Sequence, residues 1–293
     1  MPPTAIVAFF SPCDYKLPRK HLAATLKWLL DEGLHVICAQ VVRPGQKPEY
    51  VPPAAERMVF ESDDTLFFKE NLWNLAAAEA DSDTLLFFDS DVYIRGNTWL
   101  RDTLKLLESH DILQPFEAAA WTSREGTVEF SRRPTASAIA RSVEPHPGHY
   151  HPGFAWAFRR DSFLRIGGWY DRHPAGGSDT AFAYTLYEAA TGSPAVPPSG
   201  LLKSFCECPS FREYCSVVSA YCPSVSITRK CIAVHRWHGS WKDRGYVTRD
   251  SVFPIGDDGE YEVKYRADGL LSWYRKDGSA RAMKYFMSRK EDG

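Results

Sequence analysis

The sequence predicts an α/β fold built on a mostly parallel sheet, and three patterns predict it. Short apolar runs alternate with amphipathic stretches, as repeated strand–helix–strand units do. The runs at residues 4–10 (TAIVAFF) and 84–88 (TLLFF) are nearly continuous rather than alternating, as strands covered on both faces are. Polar side chains suited to chemistry stand directly after these runs, where parallel sheets collect their ligands.

Residues 4–10 form the first strand, and the polar loop Ser11-Pro12-Cys13-Asp14 follows it. Leu22, Leu26, Leu29 and Leu30 fall on one face of a helix over residues 19–31, with Gly33 placed to cap it. A second strand spans 35–42 (HVICAQVV), and a proline-rich loop leads to a third at 58–60. A helix over 71–80 precedes the strand 84–88, which runs straight into Asp89. Residues 121–150 lose periodicity and read as a long functional loop carrying Arg132 and Arg133, expected to face an acceptor. Strand character returns at 153–158, helical character at 180–190, and a final helix is expected over 281–289.

The 293 residues suffice for a sizeable core. A net charge of −2 gives no general attraction to nucleic acid or membranes. No apolar run reaches the ~18 residues of a membrane span, and the N-terminus lacks signal-peptide character. Seven cysteines cannot all pair within one chain, so reduced thiols and a cytoplasmic location are expected.

Three segments carry chemistry. In Asp89-Ser90-Asp91 two carboxylates end an apolar strand, and they repel unless a cation neutralises them. A hard divalent ion shared with phosphate oxygens satisfies that need; a solvated strand-to-turn junction is the alternative. In the segment 231–244, His235 and His238 can complete a metal shell, Gly239 permits close phosphate approach, and Lys242 and Arg244 can neutralise a diphosphate. Read blandly, these histidines cap a strand and the cations line an exposed face. The third segment, 151–179, sets glycine turns beside aromatics, a pattern that suits sugar recognition as well as an ordinary core. Cys206, Cys208, Cys215 and Cys222 lack paired zinc-knuckle spacing, and the seven-residue recurrence of the last three fits a buried helix face better. Arg132, Arg133, Arg141, Arg244, Arg249 and Arg289 read as scattered surface charge; clustered, they would favour a phosphate-bearing acceptor such as DNA.

The order of these motifs resembles that of GT-A-type glycosyltransferases. A strand-ending D-x-D is followed by Gly153-Phe154-Ala155-Trp156-Ala157-Phe158-Arg159-Arg160, then Ile166-Gly167-Gly168-Trp169-Tyr170-Asp171, Gly176-Gly177-Ser178-Asp179 and a late histidine. The middle block is similar to the galactosyltransferase-like segment of family-two-like enzymes, and His238-Gly239 followed by Lys242 to a phosphate element of glycogenin-like ones. With Ser11-Pro12-Cys13, Lys69-Glu70, Asn74 and residues 235–246 and 285–292, the chain resembles a group of small bacterial, phage and large-virus glycosyltransferases along nearly its whole length.

That resemblance implies one GT-A domain over 1–293, with a nucleotide-binding half (1–120) and an acceptor half (121–293) ending in a helical extension. It implies Mn²⁺ or Mg²⁺ held by Asp91, Asp89 and His238, with His235 as substitute, and a nucleoside-diphosphate sugar, UDP-linked by expectation. Ser11, Pro12, Cys13, Gln40, Lys69, Asn74, Ser90, Gly153, Trp156, Gly239, Lys242 and Arg244 are implied donor contacts, and Asp179 the catalytic base. Gln40 stands where relatives often carry an acid, and Ser178 where they carry Gly or Glu. The inverting-type G-G-x-D and retaining-type H-G-x-x-K leave stereochemistry open. A hydroxymethylated DNA base, a surface glycan and a protein all remain as acceptors. Two rival readings are a sugar nucleotidyltransferase, disfavoured by the glycine-free loop after the first strand, and a non-catalytic carbohydrate- or nucleic-acid-binding protein.

Overall fold

The computed structural model describes residues 1–146, 148–193, 206–239, 253 and 255–289. The first strand, β1 (Thr4–Phe10), pairs in parallel with β2 (His35–Val42) and β4 (Thr84–Phe88), and β2 with β3 (Glu56–Glu61). Beyond β4 lie β10 (Ala155–Arg159), β6 (Ile112–Gln114) and β11 (Val225–Ile227), giving a seven-stranded sheet in the order β11-β6-β10-β4-β1-β2-β3. Of these strands β10 alone is reversed, antiparallel to both neighbours. The sequence-predicted fold class, a mostly parallel central sheet flanked by helices, is the one observed.

Alternation along each buried strand divides the core in two. Ile6, Leu85 and Phe87 point to one side of the sheet, where α2 (Lys69–Glu79) lays Leu72, Trp73 and Ala76. Ala5, Val7, Leu86 and Phe88 point to the other, under Leu22, Leu26 and Leu29 of α1 (Lys16–Asp31). This two-sided cover is why the strand sequences show no polar alternation. Gly33, at φ +78°, ends α1 as the sequence predicts and donates to Leu30. Trp169 is edge-on to Phe87 at 5.7 Å and to Phe182 at 4.8 Å in the aromatic heart of the first side.

A second, five-stranded sheet follows the order β5 (Val92–Arg95), β12 (Ile232–His235), β7 (Ala118–Thr122), β8 (Val128–Pro134), β9 (Tyr150–His151). The expected long loop at 121–150 is therefore largely structured, since β8 is followed by a short helix, α4 (Thr135–Ile139). Its strand is hidden in the sequence because most of β8 is solvent-exposed and polar. Also unpredicted is α3 (Trp99–Leu107), whose buried stripe of Trp99, Thr103 and Leu107 is interrupted by a threonine. Thr103 satisfies its buried hydroxyl with Thr228 at 2.7 Å and the carbonyl of Trp99 at 2.7 Å.

The remaining elements are α5 (Arg160–Arg165), α6 (Ser178–Thr191), α7 (Pro209–Tyr221), the hairpin β13 (Val263–Tyr265) and β14 (Leu271–Trp273), and α8 (Lys276–Met287). The expected cysteine face is only partly buried: Cys208 is covered just before α7, Cys215 is half-buried and Cys222 exposed. None of the seven cysteines is joined in a disulfide. Among the described residues no helix is long and apolar enough to cross a membrane.

Buried Gln114, at the end of β6, ties the segment before β10 in place. Its amide donates to the carbonyls of His151 (3.1 Å) and Gly153 (3.2 Å) and accepts from Ala136 N–H at 2.9 Å. Gln114→Leu orphans these groups and is expected to cost about 2–3 kcal/mol, read as a lower urea midpoint at unchanged slope.

Candidate active site

The reversal of β10 brings residue 154 against the end of β4, where Ala155 pairs with Phe88. Asp89 N–H donates to the Phe154 carbonyl at 2.9 Å, and Phe154 N–H returns a bond to Asp89 Oδ2 at 3.3 Å. Phe154 holds φ +78°, a left-handed conformation rare for a bulky residue. Its ring is wedged among Trp121 (4.8 Å), His151 (4.2 Å) and His235 (5.3 Å, stacked).

The second sheet supplies the other side. β5 begins directly after Asp91, and antiparallel β12 sets His235 opposite Val92. Arg236 N–H donates to the Asp91 carbonyl at 2.9 Å. His238 Nε2 lies 2.6 Å and His235 Nε2 3.5 Å from Asp91 Oδ2. From α1, His21 bonds the Trp237 carbonyl at 2.8 Å and Thr25 receives Arg236 at 2.8 Å, which fixes the histidine loop.

Asp91, His235 and His238 thus present ligating atoms within 4.8 Å of one another. Asp91 Oδ1 is buried and accepts no hydrogen bond. An orphaned carboxylate oxygen beside two imidazoles is a donor set suited to a divalent metal, so the chemistry of these residues fits the expected ion. Burial opposes ionisation of Asp91, but His235 and His238 outweigh it and hold the carboxyl well below the usual carboxylate range.

Asp89, expected as a further ligand, is not among these three converging residues and is engaged by Lys69 instead. Lys69 Nζ donates to Asp89 Oδ1 at 3.1 Å and lies 3.5 Å from Glu70 and 3.7 Å from Asp179. Burial disfavours the ammonium charge, yet the three carboxylates together push its pKa upward. Burial lifts Glu70 to about 7, with Lys69 pulling the other way.

Asp179 sits in the first turn of α6, with Oδ1 accepting from Thr180 N–H at 2.7 Å. A Cβ on Gly153 would stand 2.7 Å from Asp179 Oδ2 and 3.1 Å from His151 Nε2, so only glycine leaves room for both groups. Sequence reasoning missed His151 as a site residue. Burial pushes this imidazole down to about 3, and its Nε2 has no hydrogen-bond partner. No motif marked it, since its proximity to Asp179 depends on the β9–β10 connection.

Asp91, His235, His238, Lys69, Asp89, Asp179 and His151 line one cavity of about 370 Å³. Of the residues singled out from the sequence, Ser11, Pro12, Lys69, Asp89, Ser90, Asp91, Asp179, His235 and His238 border it. Arg132 also lines it, and Tyr285, Phe286 and Arg289 join from the C-terminal end of the chain. Tyr15 anchors α8 there by donating to the Phe286 carbonyl at 2.8 Å.

Other expected contacts lie elsewhere. Gln40 is buried and bonds the backbone of Glu49 through both ends of its amide (2.8 and 3.2 Å), so it tethers a loop instead of facing a base. Cys13 points at Met283. Asn74 clamps Trp169 N–H and C=O at 2.9 and 2.8 Å, and Trp156 is a core residue bonded to the Pro152 carbonyl. Gly153 lies beneath Asp179 rather than on the cavity wall, and Gly239, at φ +121°, follows the histidines without bordering the cavity. Lys242, Arg244 and Arg249 lie outside the described residues.

No family model matches the chain, and no curated protein matches it. Solved structures do match. The mannosyltransferase PcManGT from Pyrobaculum calidifontis, in complex with GDP-Man and Mn²⁺, is 16% identical over 68% of this chain and 57% of its own, with a TM-score of 0.40. The TarS 1–349 structure from S. aureus in complex with UDP-GlcNAc is 13% identical over 64% and 53%, with a TM-score of 0.39. The catalytic domain of Drosophila β1,4-galactosyltransferase 7 complexed with xylobiose is 13% identical over 66% and 63%, with a TM-score of 0.37. The chain spans less than two thirds of the length of each of these three.

Asn74→Ala removes two backbone bonds and is expected to destabilise by about 1–3 kcal/mol while leaving ligand affinity in the cavity unchanged, as denaturation and binding titrations would show. A second test uses pH. Below pH 6.5 the unfolded chain takes a proton at His151 that the folded chain refuses until about pH 3. The folded pKa is depressed, so stability falls as pH drops through that window. His151→Phe is expected to shrink the pH 7 to pH 5 stability difference by about 1–2 kcal/mol; an unchanged difference would contradict the burial of this imidazole.

Proposed function

We propose that this chain is a metal-dependent glycosyltransferase that moves a hexose from a nucleoside-diphosphate sugar, UDP-linked by expectation, to an acceptor hydroxyl. One observation carries the reading. Asp91, whose Oδ1 is buried and unpartnered, lines the same cavity as His235 and His238, and a separate carboxylate, Asp179, lines it too.

Asp91, His235 and His238 would hold the ion, which when bound supplies Lewis-acid neutralisation of the diphosphate leaving group. Lys69 fixes the Asp89 carboxylate, and the Phe154 N–H holds its second oxygen, which leaves Asp89 positioned toward a ribose. Asp179 is the base for the acceptor hydroxyl, its Oδ1 steered by Thr180. Trp121, Tyr150 and Phe154 give the cavity an aromatic wall suited to the apolar face of a sugar, and His151 stays neutral beside Asp179.

The test follows free nucleotide released from a panel of nucleotide sugars with and without Mn²⁺. The intact chain is expected to release nucleotide from one donor in a Mn²⁺-dependent way, and Asp91→Asn to lower that rate by about 10³-fold with unchanged circular dichroism. Near-normal turnover in the variant would sink the metal assignment. Failure of the folded wild-type chain to bind or cleave any donor would favour a non-catalytic binding module.

A further inference from the structure

A second cleft, of about 750 Å³, opens between α3, the β8–α4 segment and the β11 edge of the large sheet. Five cationic side chains line it: Lys105, Arg133, Arg141, Arg229 and Lys230. Two carboxylates share the lining, and both are engaged locally. Asp102 accepts from Thr98 Oγ1 at 2.6 Å and pairs with Arg101, while Glu117 accepts the Lys230 backbone N–H at 2.9 Å. Among the described residues none of the five cations stands in an ion pair, and no aromatic ring lines the cleft. Five cations against two carboxylates, one of which feels Lys230, leave this concavity net positive in a chain of net charge −2. Arg133 and Arg229 bring planar guanidinium forks that match phosphate oxygens, while Arg141 already donates to Ser137 at 2.8 and 3.3 Å. The absence of rings points to a grip on backbone phosphates rather than stacked bases.

This cleft shares a wall with the cavity. Successive side chains on a strand point to opposite faces, so on β8 Arg132 lines the cavity while Arg133 lines the cleft. On α4 Thr135 borders the cavity and Ser137 the cleft, which Arg141 also borders just past the helix. A polyanion lying in the cleft is thus one strand's thickness from the cavity. Bringing one unit across that wall requires unstacking it, which costs least in a single strand.

We propose that the cleft binds the phosphodiester backbone of a single nucleic-acid strand, which crosses β8 to present one nucleotide to the cavity as acceptor. The second clause rests on the glycosyl-transfer reading; the first does not. The probe is a fluorescently labelled 15-nucleotide DNA strand, titrated with the full chain by anisotropy from 25 to 200 mM salt. Three to five neutralised phosphates give a log–log salt slope of about −2 to −3.5. Arg133→Glu/Arg229→Glu/Lys230→Glu is expected to weaken binding more than tenfold and flatten the slope, with metal-dependent nucleotide release from the donor unchanged. Lys105→Ala/Arg133→Ala, a milder pair, is expected to shift affinity in the same direction, which guards against a variant that fails to fold. If nucleotide release fails in the wild type while the salt slope and variant losses persist, the cleft assignment holds and the donor reading falls. Salt-insensitive binding, wild-type affinity in the triple variant, or equal competition by heparin, a sulfated glycan, would each overturn the assignment to nucleic acid.

Discussion

β10 runs against its sheet neighbours, and the remaining geometry of the cavity depends on that reversal. A parallel strand in this place would start at the opposite edge of the sheet, leaving residues 151–154 far from the carboxyl end of β4. Reversed, the strand starts where β4 stops, and the backbone of Phe154 closes a reciprocal pair of hydrogen bonds with Asp89. Gln114 secures the incoming segment from below, and Gly153 keeps the space that Asp179 occupies. The second sheet then adds its histidines because β5 begins beside Asp91.

Charge in the cavity is divided into two compartments. Asp91 is matched by two imidazoles on the side of the second sheet, while Asp89, Glu70 and Asp179 share the single ammonium of Lys69 on the side of α2. One cation among three carboxylates leaves a deficit, which burial meets by lifting Glu70 toward neutrality and raising the affinity of Asp89 for protons. The two aspartates of one tripeptide therefore have opposite electrostatic circumstances, although the sequence presents them as equals.

Much of this was legible in the residues themselves. The runs at 4–10 and 84–88 lacked polar alternation because both faces of β1 and β4 are covered. Asp91 and His235 stand well over a hundred positions apart, and each is marked in the sequence only as a polar residue shortly after an apolar run. What stayed hidden had physical reasons. β8 exposes most of its length to solvent, so its pairing with β7 leaves no hydrophobic period. Gln40 and Asn74 are polar residues whose partners are distant backbone groups, invisible to any local pattern. His151 depends on the approach of Asp179, which tertiary structure alone determines.

The Phe154 ring has a consequence of another kind. It stacks on His235 on one flank and meets His151 and Trp121 on the others, while its backbone occupies a left-handed conformation that these contacts must sustain. A ligand that orders His235 thereby stiffens the aromatic wall, and a ligand that presses on the wall is felt at His235. Under the proposed activity, that shared ring would couple donor and acceptor affinities reciprocally.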